Sequence, residues 1–200
     1  MYCKGLLLFF LFPIMLHAQE MDLFQQIEAE NPKEAMALLP DNMLFSQGLL
    51  WGKKGILRTT GIAPLTLENR EKELKIRRTF LTAHQLIGYA TLAGMIAQGI
   101  LGTQLYNGKY KVKEAHEVIG NLTSVSYFTG ASLSLFAPPP LTNEKTKGLS
   151  SIKAHKYLAT LHFTGMIATN VLAEDNKKLH RATAFTTFAS YAAAVLVFKF

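Results

Sequence analysis

A chain of 200 residues is one modest domain with an appended segment, and its 18% of charged residues falls below the roughly 25% usual in soluble domains. Its net charge of +7 stands beside apolar runs instead of forming a basic face, which points to membrane headgroups and excludes nucleic acid as the partner. The single cysteine, Cys3, lies in a leader-like stretch, so a disulfide framework, a thiolate metal site and a cysteine nucleophile are excluded from the mature chain.

Residues 1–18 read as a secretory signal peptide: Lys4, an apolar run from Gly5 to Leu16, then a small residue at Ala18. That run is about a dozen residues, short of the roughly 20 that span a bilayer. The expectation is a multi-pass protein of the cytoplasmic (inner) membrane of a bacterium, with residues 19–76 outside the cytoplasm as a segment of short helices. Met21 to Ala29 and Lys33 to Leu39 suit two of these, closed by Asn31-Pro32 and Pro40-Asp41. Gln47 to Arg58 holds the only tryptophan, Trp51, and three glycines, as a segment in the membrane interface would; its spacing fits no phosphate-binding loop. Glu68 to Arg78 predicts a charged helix braced by Glu68/Lys72, Glu71/Lys75 and Glu73/Arg77, running straight into the first span.

Four spans follow, and residues 77–200 are expected to form an all-α, up-down transmembrane four-helix bundle. They are Thr79 to Leu101, His116 to Ala137 (stopped by Pro138-Pro139-Pro140), Ser150 to Ala173 and Leu179 to Phe198. The mean hydropathy, +0.15, is low for a membrane protein, so the spans must carry many Thr, Ser, Gly and Ala, as closely packed or cofactor-lining helices do. With the start outside, the first and third helices enter from the outer face and the second and fourth from the cytoplasm. Lys109, Lys111, Lys113, Lys177, Lys178 and Arg181 then lie inside, while Arg70, Lys72, Lys75, Arg77 and Arg78 lie outside.

The six histidines carry the functional signal. His17 belongs to the leader, and the other five lie in or at the ends of the spans. Four share a frame, each with a small residue one turn on: His84/Gly88, His116/Gly120, His155/Ala159 and His180/Ala184. A small residue there leaves room for a flat macrocycle against the helix while the imidazole reaches its metal. Topology pairs His84 with His155 near the outer face and His116 with His180 near the inner face. Imidazole is a standard axial ligand of haem iron, so these four are the candidate metal ligands of two haems b. Arg77, Arg78, Lys153 and Lys156 at one end, and Lys113, Lys178 and Arg181 at the other, are candidate partners of haem propionates. His162 stands apart, with Met166 where the small residue should be and about 10.5 Å deeper than His155 on the same helix face. Three roles are open to it: ligation in place of His155, lining a quinone pocket, or a hydrogen bond to a neighbouring carbonyl. Asn121 and Asn170 are placed to hold an imidazole from behind. His116-Glu117 opens like an intramembrane zinc-protease motif, but Gly120 stands where its second histidine belongs.

In these residues, as AHQLIG, AHEVIG, AHKYLA and LHRATA, the chain from about Arg77 to Phe200 resembles the cytochrome b561 family. The resemblance implies four helices holding two b-type haems through histidines of alternate helices, His84 with His155 and His116 with His180, and electron transfer across or within the membrane. Many family members have six helices where this chain has four, and it shows no ascorbate-binding signature, so a quinol or another small reductant is an open donor and a homodimer or membrane complex an open assembly. The competing class is a haem-free four-helix membrane scaffold that engages a partner through Gln47 to Pro64.

Overall fold

The computed structural model describes residues 38–141 and 150–197, and every regular element among them is helical. These are α1 (Phe45–Trp51), α2 (Ile56–Thr59), α3 (Leu67–Tyr106), a 3-10 turn (Tyr110–Val112), α4 (Lys113–Phe136), α5 (Ser151–Val171) and α6 (Lys177–Leu196). The signal peptide, the helix expected over Met21 to Ala29 and the end of the fourth span lie outside the described residues, as does all but the end of Lys33 to Leu39, where Leu38 and Leu39 are not helical.

Local chemistry sets the boundaries. Thr66, Ser150 and Asn176 cap α3, α5 and α6, each side-chain oxygen accepting from the backbone N–H three residues on, at 3.3, 3.3 and 3.0 Å. Gly108, at φ 85°, makes the left-handed turn that lets the chain reverse after α3. Pro138 follows directly on the end of α4. The charged helix and the first span are one element: α3 runs 40 residues, about 60 Å, straight through the expected domain boundary at 76/77.

The four long helices pack α3 on α4, α5 on α6, and α3 on α6. Side chains also bridge α4 and α5: Ser124 Oγ donates to Asn170 Oδ1 at 2.9 Å, and the Tyr127 hydroxyl meets His162 Nδ1 at 2.6 Å. The usual polarity of a helix bundle is turned outside in. Leu86, Val125 and Tyr157 are 66%, 66% and 72% exposed, whereas Thr91, Thr123, His162, Thr187 and Ser190 are buried. By length and composition α3 is the one helix among the described residues apolar enough to cross a membrane.

The two hairpins repeat one pattern. Ala83-His84 and Ala154-His155 are each followed, after nine residues, by Gly-Met-Ile-Ala. His116 and His180 are each followed by threonine seven residues on and by Ser-Tyr at ten and eleven. The repeat is physical as well as textual. A Cβ on Gly94 would lie 2.4 Å from Thr123 Oγ1, and one on Gly165 would lie 2.4 Å from Thr187 Oγ1. Each pair of helices therefore closes on the same glycine–threonine contact. Met95, Tyr127, Met166 and Tyr191, each eleven residues past its helix's histidine, form the buried core.

At one end, α1 caps the bundle by donating to carbonyls that the end of α4 leaves without helical partners. Ser46 Oγ bonds Leu135 O at 2.6 Å, Trp51 Nε1 bonds Phe136 O at 3.0 Å and Gln47 Nε2 bonds Ala137 O at 3.1 Å. Arg70 reaches the carbonyls of Pro139 and Pro140, and Arg77 that of Pro138 at 2.7 Å. Glu73, expected to pair with Arg77, turns instead into a buried cluster with Arg58 and Arg70, while Glu68 and Lys72 do pair, at 2.6 Å. Partial burial, reinforced by the nearby Arg70, lowers the Arg77 pKa below the ordinary guanidinium value.

Gly94→Ala should therefore force the hairpin apart and lower stability by about 1–3 kcal/mol, the cost of overpacking a tight contact. Removing the opposing hydroxyl as well, in Gly94→Ala/Thr123→Ala, should recover most of that loss in thermal melts. An unchanged melting temperature in the single variant would show that the contact does not set the helix spacing.

Candidate cofactor-binding site

Four of the five candidate histidines come together as two pairs. His84 of α3 faces His155 of α5, and His116 of α4 faces His180 of α6. In both pairs the ring centroids are 6.3 Å apart, with the planes turned by 89° and 87°. An edge-to-face aromatic contact covers this range. So does a shared metal: with metal–nitrogen bonds of about 2.0–2.1 Å and about 1.2 Å more to each ring centre, two opposed imidazoles stand about 6.4 Å apart.

The hydrogen bonds of three of the rings set their tautomers. His84 Nδ1 lies 2.9 Å from Gly130 O, His155 Nδ1 3.1 Å from Ala194 O, and His180 Nδ1 2.8 Å from Thr169 O. A carbonyl only accepts, so in each ring Nδ1 carries the proton. In the neutral imidazole Nε2 is then the unprotonated nitrogen, with a lone pair to give. A carbonyl behind a histidine is the usual support of a metal ligand, since it fixes both tautomer and ring orientation.

The supporting carbonyls follow one rule. Gly130, Thr169 and Ala194 each lie fourteen residues past the histidine of their own helix, about 21 Å along it. In an antiparallel hairpin this brings the far end of one helix behind the histidine of its neighbour. The fourth position, Gln98, lies fourteen residues past His84, and its side-chain Nε2 donates to His116 O at 2.9 Å. His116 Nδ1 is buried without a hydrogen-bond partner, and Gly102 packs so closely that a Cβ there would lie 3.0 Å from His116 Cε1.

The remaining candidates lie around these pairs. A Cβ on Gly88 would meet the Tyr191 hydroxyl at 3.4 Å, and one on Gly120 would meet Gln98 Oε1 at 3.3 Å, so both glycines admit polar groups of neighbouring helices. Lys153 sits in the first turn of α5, two residues before His155. Arg181 lies over the Tyr106 ring, 4.3 Å from its centroid. Arg77 meets Pro138, as described above. Asn170 bonds Met166 O and Ser124, and so joins α5 to α4. The rings against His162 are those of Tyr127 and Tyr191, with centroids at 5.6 and 4.9 Å. Among the described residues no group of three or more His, Cys, Asp or Glu gathers into a metal cage.

The supporting carbonyls, Tyr127 and Tyr191 were not singled out in the sequence, although the fourteen-residue spacing and the repeated Ser-Tyr were there to be found. No protein-family model, curated protein or solved structure matches the chain.

Gly102→Val should displace the His116 ring and leave the outer pair alone. In side-chain NMR of histidine-labelled protein, the His116 and His180 signals should move and those of His84 and His155 should stay. Equal movement of all four would mean that the two pairs are not independent.

Proposed function

We propose that the chain is a membrane b-type cytochrome, similar to the cytochrome b561 family, that passes single electrons through two bis-histidine haems in a four-helix transmembrane bundle. The observation that carries this reading is the pair of histidine clamps, each with its rings 6.3 Å apart, in which His84, His155 and His180 are supported from behind through Nδ1. Two histidines per site suit a metal that brings the rest of its donors with it, as porphyrin-bound iron does. Bound haem supplies reversible one-electron chemistry at each clamp.

The chain's residues supply the rest. His84 with His155 and His116 with His180 would hold the two haems, and backbone carbonyls set the tautomers of His84, His155 and His180. Lys153 and Arg181, adjoining His155 and His180, are placed for haem propionates. The apolar exterior and polar interior support a lipid-embedded bundle, because outward leucine and valine suit acyl chains while inward hydroxyls bond between or within helices. The spacing of the supporting carbonyls puts the clamps about 21 Å apart along the bundle, so electrons would enter near one face and leave near the other. The donor class that fits is a quinol or another small reductant.

Reduced-minus-oxidised spectra of protein purified after expression with adequate haem should show a b-type α-band from two haems per chain. His116→Ala should remove about half of that absorbance and leave the His84/His155 signal intact. Loss of both haems, or of neither, would break the pairing, and a protein without the band would leave the haem-free scaffold as the better account.

A further inference from the structure

The repeat makes one residue conspicuous. Seven residues past each histidine, halfway between the clamps, stand Thr91 on α3, Thr123 on α4 and Thr187 on α6, but His162 on α5. All four are buried. An imidazole thus replaces a hydroxyl in the layer farthest from either end of the bundle.

A second departure from symmetry goes with it. Tyr191 donates its hydroxyl to Gly88 O at 3.1 Å, the carbonyl four residues past His84. The matching acceptor for Tyr127 is the carbonyl of Ala159, four residues past His155. Tyr127 instead meets His162 Nδ1, at 2.6 Å. His162 has therefore drawn the tyrosine of the facing hairpin onto itself. Its other ring neighbour is Tyr191, and Thr91 Oγ1 of the same layer lies 2.9 Å from Ser126 Oγ. The ionisable groups bearing on His162 are Tyr127 of α4, Tyr191 of α6, His84 of α3 and His155 of its own helix, whereas the three threonines of its layer stay neutral.

From this placement, which rests on the haem reading above, we infer that His162 is the proton-binding site that accompanies electron entry into the bundle. An electron delivered to either clamp adds one negative charge about 10.5 Å from His162, in a medium where charge is poorly screened. One proton from the aqueous phase binds Nδ1 of the neutral imidazole, which first accepts from the Tyr127 hydroxyl. The imidazolium Nδ1–H then donates to the Tyr127 oxygen, whose own hydrogen rotates away. No bond of the chain breaks. One electron and one proton enter together, and the added charges balance within the membrane interior. Along α5, His162 stands seven residues past His155 and seven before Thr169, which supports His180 of the other clamp.

The test is spectroelectrochemical titration of the full-length haem-loaded protein in lipid nanodiscs, with one-electron mediators, from pH 5 to 9. Because the reduced state holds the extra proton, reduction should become harder as pH rises. The equilibrium of the first haem reduced should change tenfold per pH unit, about 59 mV for one electron, where His162 titrates. His162→Thr completes the threonine layer, and His162→Gln keeps a hydrogen bond to Tyr127 without a titrating proton. Both should retain the b-type band, flatten the pH dependence and lose one proton taken up on full reduction, as read by a pH-indicator dye. A wild-type wave that is flat with pH, or variants that keep its slope, would overturn the inference while leaving the haem reading intact. Absence of the b-type band in the wild type would overturn both.

Discussion

The register of each hairpin is the constraint on which the rest depends. Thr123 closes on Gly94 and Thr187 on Gly165, and neither contact tolerates even a Cβ on the glycine. Once that point is fixed, antiparallel geometry determines what stands behind each histidine. Carbonyls fourteen residues past one histidine fall against another, as Gly130 does for His84 and Thr169 for His180. A slip of one residue would turn a carbonyl about 100° around its helix and leave a buried imidazole without its acceptor. The orientation of the paired histidines is thus a consequence of close helix packing.

Much of this was legible in the residues. The helices α4, α5 and α6 lie within a few residues of the bounds expected from the sequence, because Pro138, Ser150 and Asn176 act locally as stops and caps. The histidine pairs follow from the shared frame and alternating helix direction, and the structure brings the same four rings together. What was not legible depends on contacts distant in sequence. Glu68 and Lys72 pair as their i,i+4 spacing suggests, since both are exposed and nothing else reaches them. Glu73 is drawn inward because Arg58, fifteen residues earlier, folds back over it. Trp51 reads as an interfacial anchor, yet its indole N–H is spent on Phe136 O, an acceptor that exists only because α4 ends there.

The internal repeat lies between these cases. Gly-Met-Ile-Ala occurs twice at the same distance from Ala-His, and Ser-Tyr twice at the same distance from a histidine, so the signal was local and explicit. Its meaning came from packing. Glycine at 94 and 165 could be read as generic small residues until each was found beneath a threonine of its own hairpin.

The repeat also shows what polarity in the interior requires. Thr123 satisfies its hydroxyl within its own helix, at Ile119 O, 2.7 Å away, so a threonine in the middle layer makes little demand on its neighbours. An imidazole cannot meet its needs that way. His162 Nδ1 pairs with the Tyr127 hydroxyl of α4, and the ring packs against a second tyrosine from α6. Replacing threonine by histidine at this one position therefore commits three helices to a single group, in surroundings where an unpartnered polar atom costs about 1–3 kcal/mol. Thr187, in the same layer, leaves its Oγ1 buried without a partner, so the layer is not optimised for hydrogen bonding as a whole. The arrangement around His162 is specific to that residue, in the layer midway between the two histidine pairs.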